Sequence, residues 1–129
     1  MLYFVNDYSE GAAPEILDKL RESNLTKQAG YGSDEFCISA KEKIKEAINT
    51  DAEIFFVSGG TQANKIVIGS ILKNYEGVIA ADTGHISVHE AGAIESTGHK
   101  VFGLKSRDGK LAADDIKKFC REFYADVNH

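Results

Sequence analysis

Ser58-Gly59-Gly60-Thr61-Gln62-Ala63-Asn64 follows the apolar, β-prone run Phe55-Phe56-Val57 and opens a helical pattern. Glycines let a main chain approach an anion closely. A helix that begins there offers unbonded N–H groups and the positive end of its dipole. Thr61 adds a hydroxyl donor on the same turn. The chemistry this suits is phosphate binding. The turn matches neither G-x-x-x-x-G-K-[ST] nor G-x-G-x-x-G. A plain strand-to-helix turn with Thr61 as its cap reads the same residues more simply.

Further along stands His85-Ile86-Ser87-Val88-His89-Glu90, where an imidazole could meet a ring held by that phosphate. Two other readings compete. His85 and His89, four apart, share a helical face and with Glu90 suggest a metal site. The pattern is not H-E-x-x-H, however, and spacing fixes no third ligand, with Glu95 and His99 only loose candidates. The simpler alternative is a partly buried His85 and a surface His89. Asn6-Asp7-Tyr8-Ser9 alone reads as an arm, and Tyr31-Gly32-Ser33-Asp34 alone as a turn and cap.

The elements that must position these groups are legible in outline. Residues 2–8 read as a short strand or extended arm. Pro14 suits the first turn of a helix over 14–23. Ser33 is placed to cap a second helix carrying Phe36, Ala40, Ile44, Ala47 and Ile48 on one face. Strands are expected over 54–57, 78–81 and 100–104, with helices over 61–74, 85–96 and 113–124. Ser106-Arg107-Asp108-Gly109-Lys110 is a turn, and Ile116, Phe119, Cys120 and Phe123 form the inward face of the last helix. Strand and helix alternate from residue 54 onward, which predicts an α/β fold with a parallel sheet of three or four strands covered by helices.

The 129 residues are 43% apolar and 27% charged, with 12 Gly and one Pro, a composition that folds. The net charge of −5, three arginines and no basic stripe argue against nucleic acid. Cys37 and Cys120 fit no metal spacing and read as reduced thiols of a cytoplasmic protein. Asp7 and Glu10 precede any long apolar run, so no signal peptide is read. The apolar stretch 66–72 is too short to span a bilayer.

Four segments, in this order and with these gaps, carry a resemblance. They are Asn6-Asp7-Tyr8-Ser9-Glu10-Gly11, Tyr31-Gly32-x-Asp34, Ser58-Gly59-Gly60-Thr61-Gln62-Ala63-Asn64, and His85-Ile86-x-x-His89-Glu90-x-Gly92-Ala93-Ile94-Glu95-x-x-Gly98-His99-Lys100. The chain resembles the N-terminal part of the aromatic amino acid β-eliminating lyase/threonine aldolase family, in particular its low-specificity threonine aldolase branch. The resemblance implies part of the large domain of an aspartate-aminotransferase-like, fold type I enzyme dependent on pyridoxal 5′-phosphate (PLP). Residues 1–50 would be an N-terminal arm and helices. Residues 51–129 would be the first part of the cofactor-binding domain, with a mostly parallel sheet and flanking helices.

By the same resemblance, Gly60 and Thr61 bind the PLP phosphate, and His85 stacks on the pyridine ring and takes part in catalysis. Asn6 lies near the substrate carboxylate, where the family has Ser, a departure that bears on that role. Tyr31 reaches a neighbouring active site across a subunit boundary. Glu90 lies near the cofactor face. The implied protein is a cytoplasmic homo-oligomer, dimer or tetramer. It takes a small amino acid substrate, with no nucleic-acid or membrane partner. Its activity is retro-aldol cleavage of a β-hydroxy amino acid to glycine and an aldehyde, or β-elimination.

PLP chemistry also needs a Schiff-base lysine and an acid on the pyridine nitrogen. In the family both lie further along than residue 129. None of the twelve lysines sits in the Ser/Thr-rich turn that would carry it; Lys65 is too early in its helix and Lys105 lies in a solvated turn. The expectation is a truncated chain, inactive alone, whose unpaired sheet edge makes it self-associate. A non-catalytic remnant or assembly module is the alternative.

Overall fold

The computed structural model describes residues 4–6 and 8–125. Leu2, Tyr3 and Asp7 of the expected N-terminal strand or arm lie outside the described residues, as do residues 126–129. The described part of that segment, Phe4, Val5, Asn6 and Tyr8, contains no strand. The chain divides into two compact units, Met1–Phe56 and Val57–His129.

The first unit holds two helices. Helix α1, Pro14–Ser23, starts on its proline, whose fixed φ and missing N–H suit a first helical turn. Helix α2, Glu35–Ile48, is capped by Asp34, whose carboxylate accepts the Cys37 N–H at 2.8 Å. The expected cap, Ser33, instead donates its hydroxyl to Gly30 O at 2.7 Å and closes the preceding turn. A carboxylate also suits the positive helix end better than a hydroxyl does. Asn49, in the left-handed region at φ 49°, ends α2.

The second unit opens with α3, Gly60–Ile71, followed by β1, Val78–Ala81, the short α4, His85–Val88, β2, Val101–Leu104, and α5, Ala113–Ala125. Strands β1 and β2 pair in parallel, Val78 against Val101 through Ala81 against Leu104. The α/β expectation is met, on a smaller sheet of two strands among the described residues. Residues 54–57 are not a strand. No described strand runs beside them, and a row of backbone N–H and C=O groups becomes a strand only when a neighbour accepts it. Phe55 consequently stands 80% exposed.

The helix expected over 85–96 is also broken. After α4, Ala91 and Gly92 take φ values of 48° and 77°, which a right-handed helix cannot contain. A single 3₁₀ turn, Glu95–Thr97, follows and ends at Gly98 in the left-handed region. Ile94, fully buried, lies between these turns.

Helix α5 packs on β2 through aromatic rings. Phe102 lies 5.3 Å from Phe119 and 5.4 Å from Phe123, centroid to centroid, in tilted and edge-on contacts. The inward face read from sequence, Ile116, Phe119, Cys120 and Phe123, is the half-buried face of α5. Asp108 and Gly109, at φ 51° and 70°, form the tight turn between Arg107 and Lys110.

Candidate functional site

The site is built on the opening of α3. Gly59 is its N-cap, and no side chain among the described residues caps it. The first intrahelical bond runs from Ala63 N–H to Gly59 O at 3.1 Å, so the N–H groups of Gly60, Thr61 and Gln62 stand ahead of the helical ladder. Gln62 braces the turn, its Oε1 accepting from both the N–H and the hydroxyl of Ser58 at 2.7 Å. A Cβ added at Gly59 or Gly60 would meet nothing within 4 Å, so the glycines leave open space in front of the helix end. Thr61 is exposed there with its hydroxyl. This is a donor set for a phosphate: backbone N–H groups, one hydroxyl, a helix dipole and no opposing carboxylate on the turn.

His85 is the first residue of α4. The turn that precedes it is tied to the strands: Asp82 N–H donates to Leu104 O, Gly84 N–H to Ala81 O, each at 2.8 Å, and the Ser87 hydroxyl to Ala81 O at 2.9 Å. His85 Nδ1 lies 2.8 Å from Glu90 Oε1, and Asn64 Nδ2, one turn into α3, donates to the same oxygen. The Glu90 side chain is 0% exposed, whereas that of His85 is 61% exposed. Burial opposes ionisation of Glu90. Hydrogen bonds from Asn64 and His85, together with the electrostatic attraction of the His85 ring, outweigh it and hold the carboxyl below the ordinary glutamate range. One carboxylate therefore joins the glycine-turn helix to the imidazole.

Gly60, Thr61 and His85 thus belong to one unit, linked through Asn64 and Glu90. Asn6 and Tyr31 belong to the first unit. The Asn6 carboxamide oxygen accepts the Tyr8 N–H at 3.0 Å and the Ser9 hydroxyl at 2.7 Å. Tyr31 is fully exposed, with φ 60°. Asn64 closes the Ser58–Asn64 motif, and its role is not one the motif's phosphate reading assigns. Its signal was its place four residues after Gly60, on the same helical face.

The metal reading of His85, His89 and Glu90 finds no support among the described residues, where no three His, Cys, Asp or Glu side chains are placed to hold an ion. His89 is exposed, its ring 5.6 Å from that of His85 and tilted by 49°. His99 is buried and bonds Glu76 O at 3.1 Å, which accounts for it structurally. Lys105 is solvated, 3.5 Å from Asp82 Oδ2. No helix among the described residues is long and apolar enough to cross a membrane.

A family model described as Beta-eliminating lyase matches residues 6–128. The low specificity L-threonine aldolases of a Pseudomonas species and of Pseudomonas aeruginosa are 32% and 31% identical to this chain, over 89% and 88% of it and 34% of each relative. A solved structure of Leishmania major threonine aldolase superposes with a TM-score of 0.87 at 49% identity, over 92% of this chain and 35% of that one. The chain spans about a third of the length of the relatives it matches.

Proposed function

The chain belongs to the beta-eliminating lyase family, and from that membership we propose that the whole protein is a PLP-dependent lyase acting on amino acids, most similar in chemistry to a threonine aldolase. The observation that carries the reading is the Glu90 carboxylate, which holds an exposed imidazole beside a helix whose first N–H groups have no partner among the described residues.

The residues present fit the cofactor. The Gly60 and Thr61 N–H groups and the Thr61 hydroxyl would hold the phosphate, which carries close to two negative charges at neutral pH. His85, with most of its side chain exposed, would lie against the ring. When bound, PLP supplies an electron sink for bonds to the substrate α-carbon. The chain's own contribution is orientation. Gln62 keeps the turn in shape, the β1 exit keeps α4 in place, and Glu90 keeps the imidazole from rotating. The substrate is a small amino acid with a β-hydroxyl or other β-substituent.

The protein would act as a homo-oligomer, with Tyr31 reaching a neighbouring subunit's site. Its full exposure leaves its ring available for such a contact. These 129 residues alone would not cleave threonine, because none of their lysines is set for Schiff-base formation.

The test is turnover by the whole protein with added PLP. L-threonine or L-allo-threonine should yield glycine and acetaldehyde. Release of pyruvate and ammonia from a β-substituted alanine would instead place it with the β-eliminating branch. Activity on neither class would sink the proposal.

A further inference from the structure

We propose that Asn64 and Glu90 are positioning residues that fix the tautomer of His85, putting its proton on Nδ1 and leaving Nε2 a proton acceptor. The proposal rests on the reading of His85 as the residue that faces the cofactor, and it specifies what that residue offers there.

The argument is one of donors and acceptors. An ionised carboxylate has no proton to give. Both groups that meet Glu90 Oε1 must then donate to it. Asn64 does so through Nδ2, and His85 through Nδ1 at 2.8 Å. Glu90 is the ionised partner, since the Asn64 amide donates to its Oε1 and the contacts there hold the carboxyl below the ordinary glutamate range despite burial. A neutral imidazole carries one ring proton. With that proton held on Nδ1, Nε2 keeps its lone pair. Glu90 is buried while most of the His85 side chain is exposed.

Two features of the chain serve this arrangement. Helix α4 ends at Val88, and the left-handed pair Ala91-Gly92 turns the chain just after Glu90, where that side chain meets a residue five positions earlier. Asn64 stands on α3 one turn from Gly60, which ties the same oxygen to the phosphate helix. The other carboxylate oxygen, Oε2, is buried without a hydrogen-bond partner among the described residues. Among the described residues Oε1 alone anchors the group, so loss of either donor leaves Glu90 poorly held.

The experiment is long-range ¹H–¹⁵N correlation of the histidine rings in ¹⁵N-histidine-labelled protein without cofactor, at a pH where the rings are neutral. His85 is assigned by its loss in H85N. The expected result is a protonated Nδ1 in the wild type, kept in E90Q, whose amide oxygen still accepts, and lost in E90A. A protonated Nε2 in the wild type would overturn the proposal, as would an unchanged tautomer in folded E90A. Should E90A fail to fold, the wild-type spectrum alone still decides. PLP binding, followed by its absorbance, is measured separately on the whole protein. Failure there removes the cofactor reading and leaves the tautomer result standing.

Discussion

Ser106 grips Asp82 twice, its hydroxyl donating to Oδ1 at 2.7 Å and its backbone N–H to the same oxygen at 3.1 Å. The two residues lie just beyond the ends of β1 and β2, on the edge from which α4 and His85 depart. At the carboxyl ends of parallel strands, where α/β proteins bind ligands, this clasp fixes one exit against the other.

The clasp sets a pH dependence. The Ser106 hydroxyl lowers the Asp82 pKa most; burial opposes it, and the Ser106 N–H and Lys105 add to the lowering. Asp82 therefore binds protons more weakly folded than unfolded. Its stabilisation is complete above the ordinary aspartate value of about 3.9 and fades as pH falls through the lowered one. Urea midpoints measured from neutral pH downward should drop in that acidic window. D82N should lower the midpoint at neutral pH and flatten its dependence there. A D82N profile parallel to wild type would assign the effect to other carboxylates.

The glycine turn separates folding from binding. Gly60→Ala meets nothing within 4 Å, so the melting temperature of the cofactor-free chain should hold while PLP affinity falls. Thr61→Ala should also weaken PLP binding, by about tenfold or more, since a hydrogen bond to a charged group contributes roughly 1.5–3 kcal/mol. Fluorescence titration with PLP, beside a thermal melt of each variant, checks both. Unchanged affinity in both variants would move the phosphate elsewhere.

Gly77 predicts the opposite outcome. A Cβ there would stand 2.5 Å from Phe102 Cε2 and 2.7 Å from Lys100 O, the carbonyl that accepts the Val78 N–H at the start of β1. Gly77→Ala should destabilise the second unit by roughly 1–3 kcal/mol through overpacking. Gly11→Ala, with nothing within 4 Å, is the neutral control. Equal denaturation curves for the two variants would refute the packing argument.

Cys37 should be a slow thiol. Its hydrogen bond to Asp34 raises its pKa most, and burial and the Asp34 charge raise it further, against a smaller opposing effect of Lys41. Thiolate is the reactive form. Iodoacetamide should therefore alkylate Cys37 faster in D34N than in wild type, with site occupancy read by peptide mass spectrometry. A slower or equal rate in D34N would contradict this assignment.

The sequence by itself determined what is local. Pro14 started α1, Asp108-Gly109 made its turn, the apolar spacing of 116–123 marked the buried face of α5, and the glycine pair marked the start of α3. Each is fixed by backbone sterics or by residues within a turn or two of one another. The tertiary structure decided what needs a distant partner. Residues 54–57 have the composition of a strand but no described neighbour to accept their hydrogen bonds. Glu90 read as one carboxylate on a long helix. Instead, that helix ends at Val88, the left-handed Ala91-Gly92 pair turns the chain beyond it, and Asn64, twenty-six residues back, meets the buried carboxylate. No periodicity encodes such a contact, because the chain gains the bond only after α3 and the β1 exit have come together.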